Sequence, residues 1–566
     1  MAPLFEKGSL GPSILIGAFT TVGGILYGYD TGIIAGILAM DTFKEDYGKP
    51  DPTHPGSFYL PSARKSLIVS ILAAGLFSGA FSTGYLADRK GRRKGLIVAC
   101  LVFMFGVSMQ VARVSIELFA LGRFVAGFGV GSVSSLGPLY QAEIAPKHLR
   151  GAITAGYHTA KTLGVLIASL VDNGSRNRDG KSSYLIPIYL QFLWAAILVT
   201  GFIFLPESPR FLVKQGHIGS ARKALATIRH QDEDNISISM ELAEIEAAVE
   251  LEQSLSNVKL KDCFGKENRQ RYRMMIGLVA GAMSQLVGVN FIKYFGTDFF
   301  LQAGVTNSFL VSIATNLVSF CMTLPSLYLV ERLGRRPFLV VGLFGCFVTQ
   351  YVIAVTGLVF GRESEIAKKI LVSFTILYIA VESCGAGPPL LVVMGETFPL
   401  RTRAKSLALS IGCDYVFNFF ISISTPFLVD NSPGSLNLGT SVFFIWGTAS
   451  LLGSLFVLLF VYETKGLTLE QIDSLYMTCP SAWHSSSFVP ETNLLDNGLS
   501  DDEIAVLNEQ GNIRIGKNDL VDSITLASVD TNGLHDTDAE SIDVDQVFEE
   551  GEGDPLLHSF RRDRDD

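Results

Sequence analysis

Residues 84–93 read GYLADRKGRR, and residues 331–336 read ERLGRR. Both stretches end in Gly-Arg-Arg, and each lies between two long apolar runs, one in either half of the chain. A motif repeated at matching points of two hydrophobic halves indicates an internal duplication. Such a duplication is typical of membrane carriers in which two parallel bundles rock against each other around a central site.

The composition is that of a membrane protein. Of the 566 residues, 48% are apolar and 17% are charged, and the mean hydropathy is +0.36. A helix needs about 20 apolar residues to cross a hydrocarbon core of about 30 Å. Twelve runs approach that length, and they lie near residues 14–38, 66–87, 95–112, 117–141, 152–172, 184–205, 274–300, 306–330, 338–360, 369–394, 405–429 and 440–461.

Basic residues in the short loops predict the orientation of these spans. Lysines and arginines crowd the loops at 89–94, 147–150, 332–336 and 401–405. Because such loops stay on the cytoplasmic side, we expect all four loops and both termini there, in a multi-pass protein. The first apolar run has no small-residue cleavage site after it, so it is expected to be a retained helix. We expect the plasma membrane, with a vacuolar or endosomal membrane as the alternative.

The apolar runs and the polar stretches divide the chain into five segments. The insert between the two sets of runs has apolar residues at helical spacing, which predicts short helices, with a plain linker as the alternative. The tail carries much of the net charge of -9 and is predicted to be mostly disordered. The segments are a cytoplasmic N-terminus at 1–13, a six-helix bundle at 14–210, a cytoplasmic helical insert at 211–273, a second six-helix bundle at 274–465 and an acidic cytoplasmic tail at 466–566.

Several short motifs bear on modification and chemistry. Asn173 begins a glycosylation sequon in a predicted outer loop, and Glu552 with Leu556 and Leu557 fits an acidic dileucine sorting signal. The seven cysteines suggest no disulfide framework. No histidine and cysteine cluster has metal spacing and no phosphate loop occurs, so we expect no enzyme activity, cofactor, metal or nucleic-acid partner. The expected partners are the bilayer, a small solute and sorting or signalling proteins at the tail, and the chain is expected to be monomeric.

Further motifs give the chain a family resemblance. Together with the basic repeat, they resemble the sugar porters of the major facilitator superfamily over about residues 14–476, most like fungal hexose transporters or glucose sensors. The resemblance implies an all-α membrane protein with the major facilitator fold, whose 12 transmembrane helices form two six-helix bundles with cytoplasmic helices between them. The motifs are GYDTG at 28–32, GRFVAG at 122–127, PLYQAE at 138–143, PESPR at 206–210, GETFPLRTRAK at 395–405 and YETKGLTLEQID at 462–473.

Charged pairs at the membrane boundary are candidates for a gate. Arginines and carboxylates such as Glu143 with Arg150, Glu396 with Arg403 and Asp88 with Arg92 can bridge helix ends across the two halves. If they form only when the cavity faces outward, breaking them accompanies inward opening. The alternative is that the basic loops only orient the chain. The candidate gating residues are Asp88, Arg92, Arg93, Arg123, Glu143, Arg150, Glu207, Arg210, Glu331, Arg335, Arg336, Glu396, Arg403 and Glu463.

The resemblance also implies where a sugar would bind. In sugar porters, amides and indoles on the seventh, eighth, tenth and eleventh helices bind substrate hydroxyls, with help from the fifth. The matching amides here are Gln285, Asn290, Asn316 and Asn418. Amides suit a neutral polyol because each both donates and accepts a hydrogen bond.

Ionisable residues replace family residues at other positions of the predicted cavity. A charge inside a span costs at least about 2.5 kcal/mol on insertion scales and marks a candidate functional site. We expect pairs such as Lys161 with Asp30 and Lys293 with Asp414, and the alternative is an ion-pair network that only fixes helix packing. The substituted positions are His158, Lys161, Lys293, Glu382 and Asp414.

The sequence therefore predicts a secondary carrier of a monosaccharide such as glucose, working by alternating access. Asp30 is the candidate for proton coupling, because a desolvated carboxylate beside the cavity can bind and release a proton. A uniporter remains open, since a nearby Lys161 would weaken coupling. Two further alternatives are a glucose sensor that signals through its tail and a carrier of a charged sugar derivative with Lys161 or Lys293 as counter-ion.

Overall fold

The computed structural model describes residues 11–51, 56–146, 149–178, 180–254, 259–361, 364–399, 401–490 and 514–516, and the side chain of Arg150 lies outside this description. The dileucine motif at 552–557 also lies outside the described residues. Helices make up nearly all of the fold. They are α1 Gly11–Thr20, α2 Val22–Ala39, α3 Asp41–Tyr47, α4 Ser62–Lys90, α5 Arg92–Val111, α6 Ile116–Ile144, α7 Arg150–Ser175, α8 Ser182–Phe204, α9 Pro209–Lys214, α10 Ile218–Arg229, α11 Ile236–Ser254, α12 Gln270–Leu286, α13 Val289–Gln302, α14 Ser308–Leu333, α15 Arg335–Phe360, α16 Glu365–Gly385, α17 Gly387–Glu396, α18 Arg403–Val429, α19 Val442–Phe460 and α20 Leu469–Thr478.

Strands are few and short. An antiparallel pair, β1 Lys49–Pro50 and β2 Phe58–Tyr59, follows α3. A parallel pair, β3 Phe488–Pro490 and β4 Arg514–Gly516, lies in the C-terminal segment.

Eleven helical segments among the described residues are long and apolar enough to span a membrane. The twelfth predicted span, at 152–172, forms the continuous helix α7 but is not among the eleven. His158, Lys161 and Asp172 lower its hydropathy. Since α7 packs against α2 and α14, its polar side chains face protein, which is where a polar helix can cross.

Two predicted spans of the second half are broken in mid-course. The run at 274–300 divides into α12 and α13 at Gly288, whose φ of 87° is one that L side chains rarely adopt, and a Cβ there would lie 2.6 Å from Cγ of Trp446. The run at 369–394 divides into α16 and α17 at Ala386. Irregular backbone at such depth is tolerated where it is enclosed by protein or lines a cavity.

The Gly-Arg-Arg loops before α5 and α15 lie at one end of the helices, which we call the basic face; the other end is the opposite face. The first six spanning segments (α1–α2 and α4–α8) form the first half, and the other six (α12–α19) form the second half. The halves meet where α4 packs against α18, α7 against α14 and α2 against α13. The interface therefore runs along three pairs of helices.

The first half is closely packed, as seen where α2 meets α7. A Cβ added at Gly28 would lie 1.9 Å from the backbone oxygen of Lys161. Small residues bring helix backbones this close in membranes, where van der Waals contact drives association.

On the opposite face, a cluster of side chains secures α3 to the first half. Asp46 of α3 contacts Lys181 at 2.9 Å and Arg113 at 3.3 Å, and it accepts a short hydrogen bond from Tyr184. Burial alone would raise the pKa of Asp46, but the bonds from Lys181 and Tyr184 and the charge of Arg113 together hold this pKa below its usual range.

The insert forms helices α9, α10 and α11, which pack on the basic face of the first half. Their apolar side chains make a small separate core around Leu225, Ile238 and Leu242. Arg229 at the end of α10 bonds Glu241 of α11 at 2.6 Å and the backbone oxygen of Ile144 at 3.0 Å. The insert is thus attached to the first half.

The described start of the tail is folded, in contrast to the disorder predicted from its composition. Arg273 of α12 is fully buried and bonds Asp473 of α20. Beyond α20, the backbone oxygen of Cys479 accepts hydrogen bonds from Arg269 at 2.8 Å and from Tyr462 at 3.0 Å. The acidic composition of the whole tail obscured this apolar, docked start.

Candidate functional site: a polar cavity between the two halves

A cavity of about 140 Å³ lies between the halves, and we call it the central cavity. Eight of the nine predicted substrate-binding residues line it: Gln285, Asn290, Asn418, His158, Lys161, Lys293, Glu382 and Asp414. The ninth, Asn316, lines instead a separate space of about 10 Å³, beside Asp172 and Lys293. The sequence thus predicted most of the lining but misplaced the amide of the eighth span.

The break between α12 and α13 positions the amides of the cavity. Gln285 precedes the break and Asn290 follows it, and Asn290 Nδ2 donates to Gln285 Oε1. Gln285 Nε2 in turn donates to Asp414 Oδ1 at 2.7 Å. On the far side, Asn418 Nδ2 donates to the Tyr294 hydroxyl at 3.3 Å. The cavity wall therefore contains linked amides with remaining donors and acceptors.

The charged residues of the cavity do not form the predicted pairs. Asp414 accepts from Ser284 and Gln285 rather than from Lys293. Lys161 Nζ lies 4.2 Å from the centre of the Tyr27 ring, a cation–π contact. Among the described residues, neither Lys161 nor Lys293 forms an ion pair within 4 Å. Carboxylates and lysines thus line one cavity without neutralising each other by contact.

Asp30 pairs with Arg123 rather than with Lys161. Arg123 Nη1 donates to Asp30 Oδ1 at 3.0 Å, and the side chains are 1% and 0% exposed respectively. Within the described part of the chain, Asp30 Oδ2 has no hydrogen-bond partner. The expected gating role of Arg123 at a membrane boundary is therefore replaced by a buried pair, and it is the neighbouring Tyr27 and Thr31 that line the central cavity.

The first basic loop is held by two carboxylates. Glu207 Oε1 accepts from the backbone N–H groups of Arg92 and Arg93 at 2.9 and 3.1 Å. Glu143 binds the Arg92 guanidinium at 2.9 to 3.2 Å, and Asp88 lies 3.5 Å from it. The described partner of Glu143 is thus Arg92, whereas Arg150 was expected.

The second basic loop repeats this arrangement. Glu463 accepts from the backbone N–H groups of Arg335 and Arg336 at 3.0 and 3.1 Å, and Glu396 binds the Arg335 guanidinium at 2.9 and 3.2 Å. Arg403 donates instead to the backbone oxygen of Gly395 at 2.8 Å, so the expected hydrogen-bonded pair of Arg403 with Glu396 is not formed. The duplication read from the sequence is thus repeated in hydrogen bonds.

Each basic loop also has an aromatic cover from the segment that follows its half. The Phe211 ring of α9 lies 5.2 Å from the Arg92 guanidinium, and the Trp483 ring of the tail lies 5.2 Å from that of Arg336. The tail further contributes Ser485, whose hydroxyl accepts from the Glu463 N–H at 3.0 Å.

All these described bridges join helix ends within one half and not across the halves. Of the remaining candidates, Arg210 bonds Glu252 of α11 at 2.7 Å, and Glu331 is exposed. The residues that do join the halves by ion pairs are Lys65, Asp298 and Asp430, on the opposite face. The sequence reading missed them because Lys65 and Asp430 flank apolar runs and resemble ordinary span boundaries. Asp298, inside a span, was a signal that could have been used.

The predicted glycosylation residue, Asn173, lies in the last turn of α7 on the opposite face. The serine of its sequon, Ser175, is buried and donates to the backbone oxygen of Asp172 at 3.3 Å. Modification of Asn173 stays a prediction.

Two halves that repeat one motif and enclose a polar cavity define a transporter of the major facilitator type. The chain belongs to the sugar transporter family, since the family model "Sugar (and other) transporter" matches residues 16–476. The resemblance read from the motifs is thereby confirmed, and the chain is a multi-pass membrane transporter rather than an enzyme.

Fungal proteins are among its relatives. The major facilitator-type transporter ecdD of Aspergillus rugulosus is 42% identical over 86% of this chain and 92% of its own length. The protein named "Probable glucose transporter rco-3" of Neurospora crassa is 39% identical over 87% and 84%. The high glucose sensor RGT2 of Saccharomyces cerevisiae is 39% identical over 84% of this chain, which spans only 62% of the length of RGT2.

The fold is shared with solved transporters. The inward open structure of the xylose transporter XylE from E. coli matches 82% of this chain and 99% of its own, with a TM-score of 0.66 and 24% identity. The major facilitator fold predicted from the sequence is thus confirmed.

Proposed function

We propose that this protein carries a neutral monosaccharide such as glucose by alternating access. The observation that supports this most is the row of linked amides, Gln285, Asn290 and Asn418, in a cavity between the halves. At about 140 Å³ the cavity is well below the roughly 300–1,000 Å³ of pockets for drug-sized ligands, which suits one sugar ring. Sugar transport by relatives such as rco-3 agrees with this choice.

We further propose that transport is coupled to protons through Asp30. This carboxyl is fully buried, and one oxygen binds Arg123 while the other has no partner among the described residues. Protonation of Asp30 would weaken its attraction to Arg123 and change the packing of α2 against α6. The XylE structure that shares this fold includes one titled a proton:xylose symporter. We place the basic face in the cytoplasm, as the loop charges predict.

One observation favours a second candidate, a carrier of a charged sugar derivative. Lys293 faces the central cavity, and within the described residues it has no hydrogen-bond or ion-pair partner, whereas Asp414 is bonded twice. A carboxylate on the substrate could fill that position. The glucose-sensor alternative rests on the likeness to RGT2 and on the same altered cavity.

Uptake by transporter-null yeast cells expressing the full chain tests these proposals. We expect labelled glucose to accumulate, and an uncoupler to abolish accumulation. Gln285→Ala should reduce uptake at least tenfold, while Asn316→Ala, which alters an amide outside the central cavity, should leave it near that of the wild type. Asp30→Asn should abolish accumulation but retain exchange of labelled for unlabelled sugar.

Other outcomes select the alternatives. Uptake of glucuronate but not of glucose would replace the neutral substrate with the charged one. Accumulation that ignores the uncoupler, or uptake that only equilibrates, would contradict proton coupling. Absence of uptake of either solute, together with an altered transcriptional response to glucose, would favour the sensor.

A further inference from the structure

A buried charge cluster on the opposite face joins the two halves. Lys65, in the first turn of α4, has its Nζ 2.5 Å from Asp298 Oδ2 of α13 and 3.1 Å from Asp430 Oδ2 at the end of α18. The three side chains are only 6%, 6% and 8% exposed. Among the residues that the structure describes, no other ion pair joins the first half to the second.

Neighbouring polar groups complete the cluster. Ser62 donates to Asp430 at 3.1 Å, and Gln302 donates to Asp298 at 2.9 Å and to Asp430 at 3.1 Å. Both carboxylates thus have a cation and a neutral donor. Outside the cluster, Lys44 of α3 also acts electrostatically on Asp298, and Lys44 itself lies 3.5 Å from Asp41. The cluster itself contains one positive and two negative groups.

The position of the cluster relates it to movement of the halves. Lys65 is 25 residues from Lys90 at the basic end of α4, a separation of about 37 Å at 1.5 Å per residue. Rocking that opens the opposite face must move α4 away from α13 and α18. Lys65 would then leave both carboxylates, so this contact belongs to the closed form of that face.

Energetics distinguish this cluster from ordinary packing. Burying an ion pair costs desolvation that its attraction scarcely repays, so apolar side chains would hold a static interface at least as well. Removing one partner, in contrast, leaves an uncompensated buried charge and is strongly unfavourable. An interface that must open into water loses less with charged groups, because they regain hydration on separation.

We propose that Lys65, Asp298 and Asp430 form a lock that holds the opposite face closed and breaks each time that face opens. The inference rests on the alternating access of the proposed function but not on the identity of the solute. The two carboxylates are held together by Lys65; without the lysine their like charges would force the face open.

The test measures distance in the purified full chain in lipid nanodiscs, by double electron–electron resonance. Spin labels at Val114→Cys and Thr306→Cys, both exposed on the opposite face, report the separation of the halves there; the exposed Cys321 is replaced by alanine. At pH 7.5 we expect the unmodified lock to give mainly the short distance. Lys65→Met should shift the ratio of short to long distances at least about tenfold toward the long one.

Two rescue arms separate a lock from general damage. Adding Asp298→Asn and Asp430→Asn to Lys65→Met removes the repulsion and should restore the short distance. Lowering the pH to 5 should move Lys65→Met, but not the Lys65→Met, Asp298→Asn, Asp430→Asn triple variant, toward the short distance. Lys44→Met, which alters the nearby lysine outside the cluster, is the matched control and should behave as wild type.

Contrary results are equally clear. An unchanged distance distribution in a monodisperse Lys65→Met protein would overturn the lock, as would failure of the neutral triple variant to close. Because the distances are measured without substrate, these outcomes stand even if no sugar is carried.

Discussion

At the scale of single residues, two glycines set the basic loops. Gly91 has φ 92° and ψ 166°, and Gly334 has φ 95° and ψ 156°, a region essentially restricted to glycine. This turn directs two successive N–H groups at one carboxylate, Glu207 in the first half and Glu463 in the second. The motif is thus a backbone carboxylate-binding turn as much as a cluster of charges.

We therefore expect Gly91→Ala to destabilise the protein by about 1–3 kcal/mol, because the conformation is strained for alanine. The added Cβ would also lie 2.4 Å from Glu207 Oε2. The measurement is the melting temperature of the purified chain in detergent. Gly84→Ala, seven residues earlier in α4 with nothing within 4 Å of the added Cβ, is the control and should melt like wild type. Equal melting of both variants would contradict the strained turn.

Asp46 should give stability a measurable dependence on pH. Its pKa is lowered in the folded protein, chiefly by Lys181 and Tyr184 against the opposing effect of burial. A lowered pKa stabilises the fold above the unfolded value, about 3.9, and that stabilisation is lost as the pH falls through the folded value. The melting temperature of Asp46→Asn should therefore be lower than wild type at pH 6, with the difference shrinking toward pH 3. A constant difference would argue against this linkage.

At the scale of elements, helices approach each other through glycine. Gly28→Ala would place its Cβ 1.9 Å from the Lys161 backbone oxygen, and neither backbone can move without shifting a whole helix. We expect this variant to lose monodisperse protein in size-exclusion chromatography. Gly151→Ala, on α7 with nothing within 4 Å, should not. Normal yield of Gly28→Ala would mean that α2 and α7 are less closely packed than described.

The same scale shows how far a sequence can be read. Span positions and the duplicated loops follow from hydropathy and motif spacing, which are local. The break at Gly288 does not, because its backbone conformation depends on Trp446, over 150 residues away. Pairing was harder still: Asp30 chose Arg123 over Lys161, since the approach of α2 to α6 decides distance and composition does not.

At the scale of the whole molecule, the halves are in contact on the opposite face. Ser62 Oγ and Ser435 Oγ lie 2.7 Å apart across the interface. Cysteines at both positions, in a background without Cys321, should form a disulfide that keeps this face closed. We expect oxidation to stop uptake and a reductant to restore it, with each single cysteine variant unaffected. Full uptake by the oxidised double variant would show that this face need not open.

The aromatic covers of the two basic loops have a consequence for how such a molecule could be controlled. A doubled gene starts with interchangeable copies, but here the first copy is covered by Phe211 of the insert and the second by Trp483 of the tail. Each half therefore has its own external handle. A kinase, ligase or binding protein acting on the tail addresses the second half alone, and one acting on the insert addresses the first. Two signals can thus be combined in one carrier without either touching the sugar.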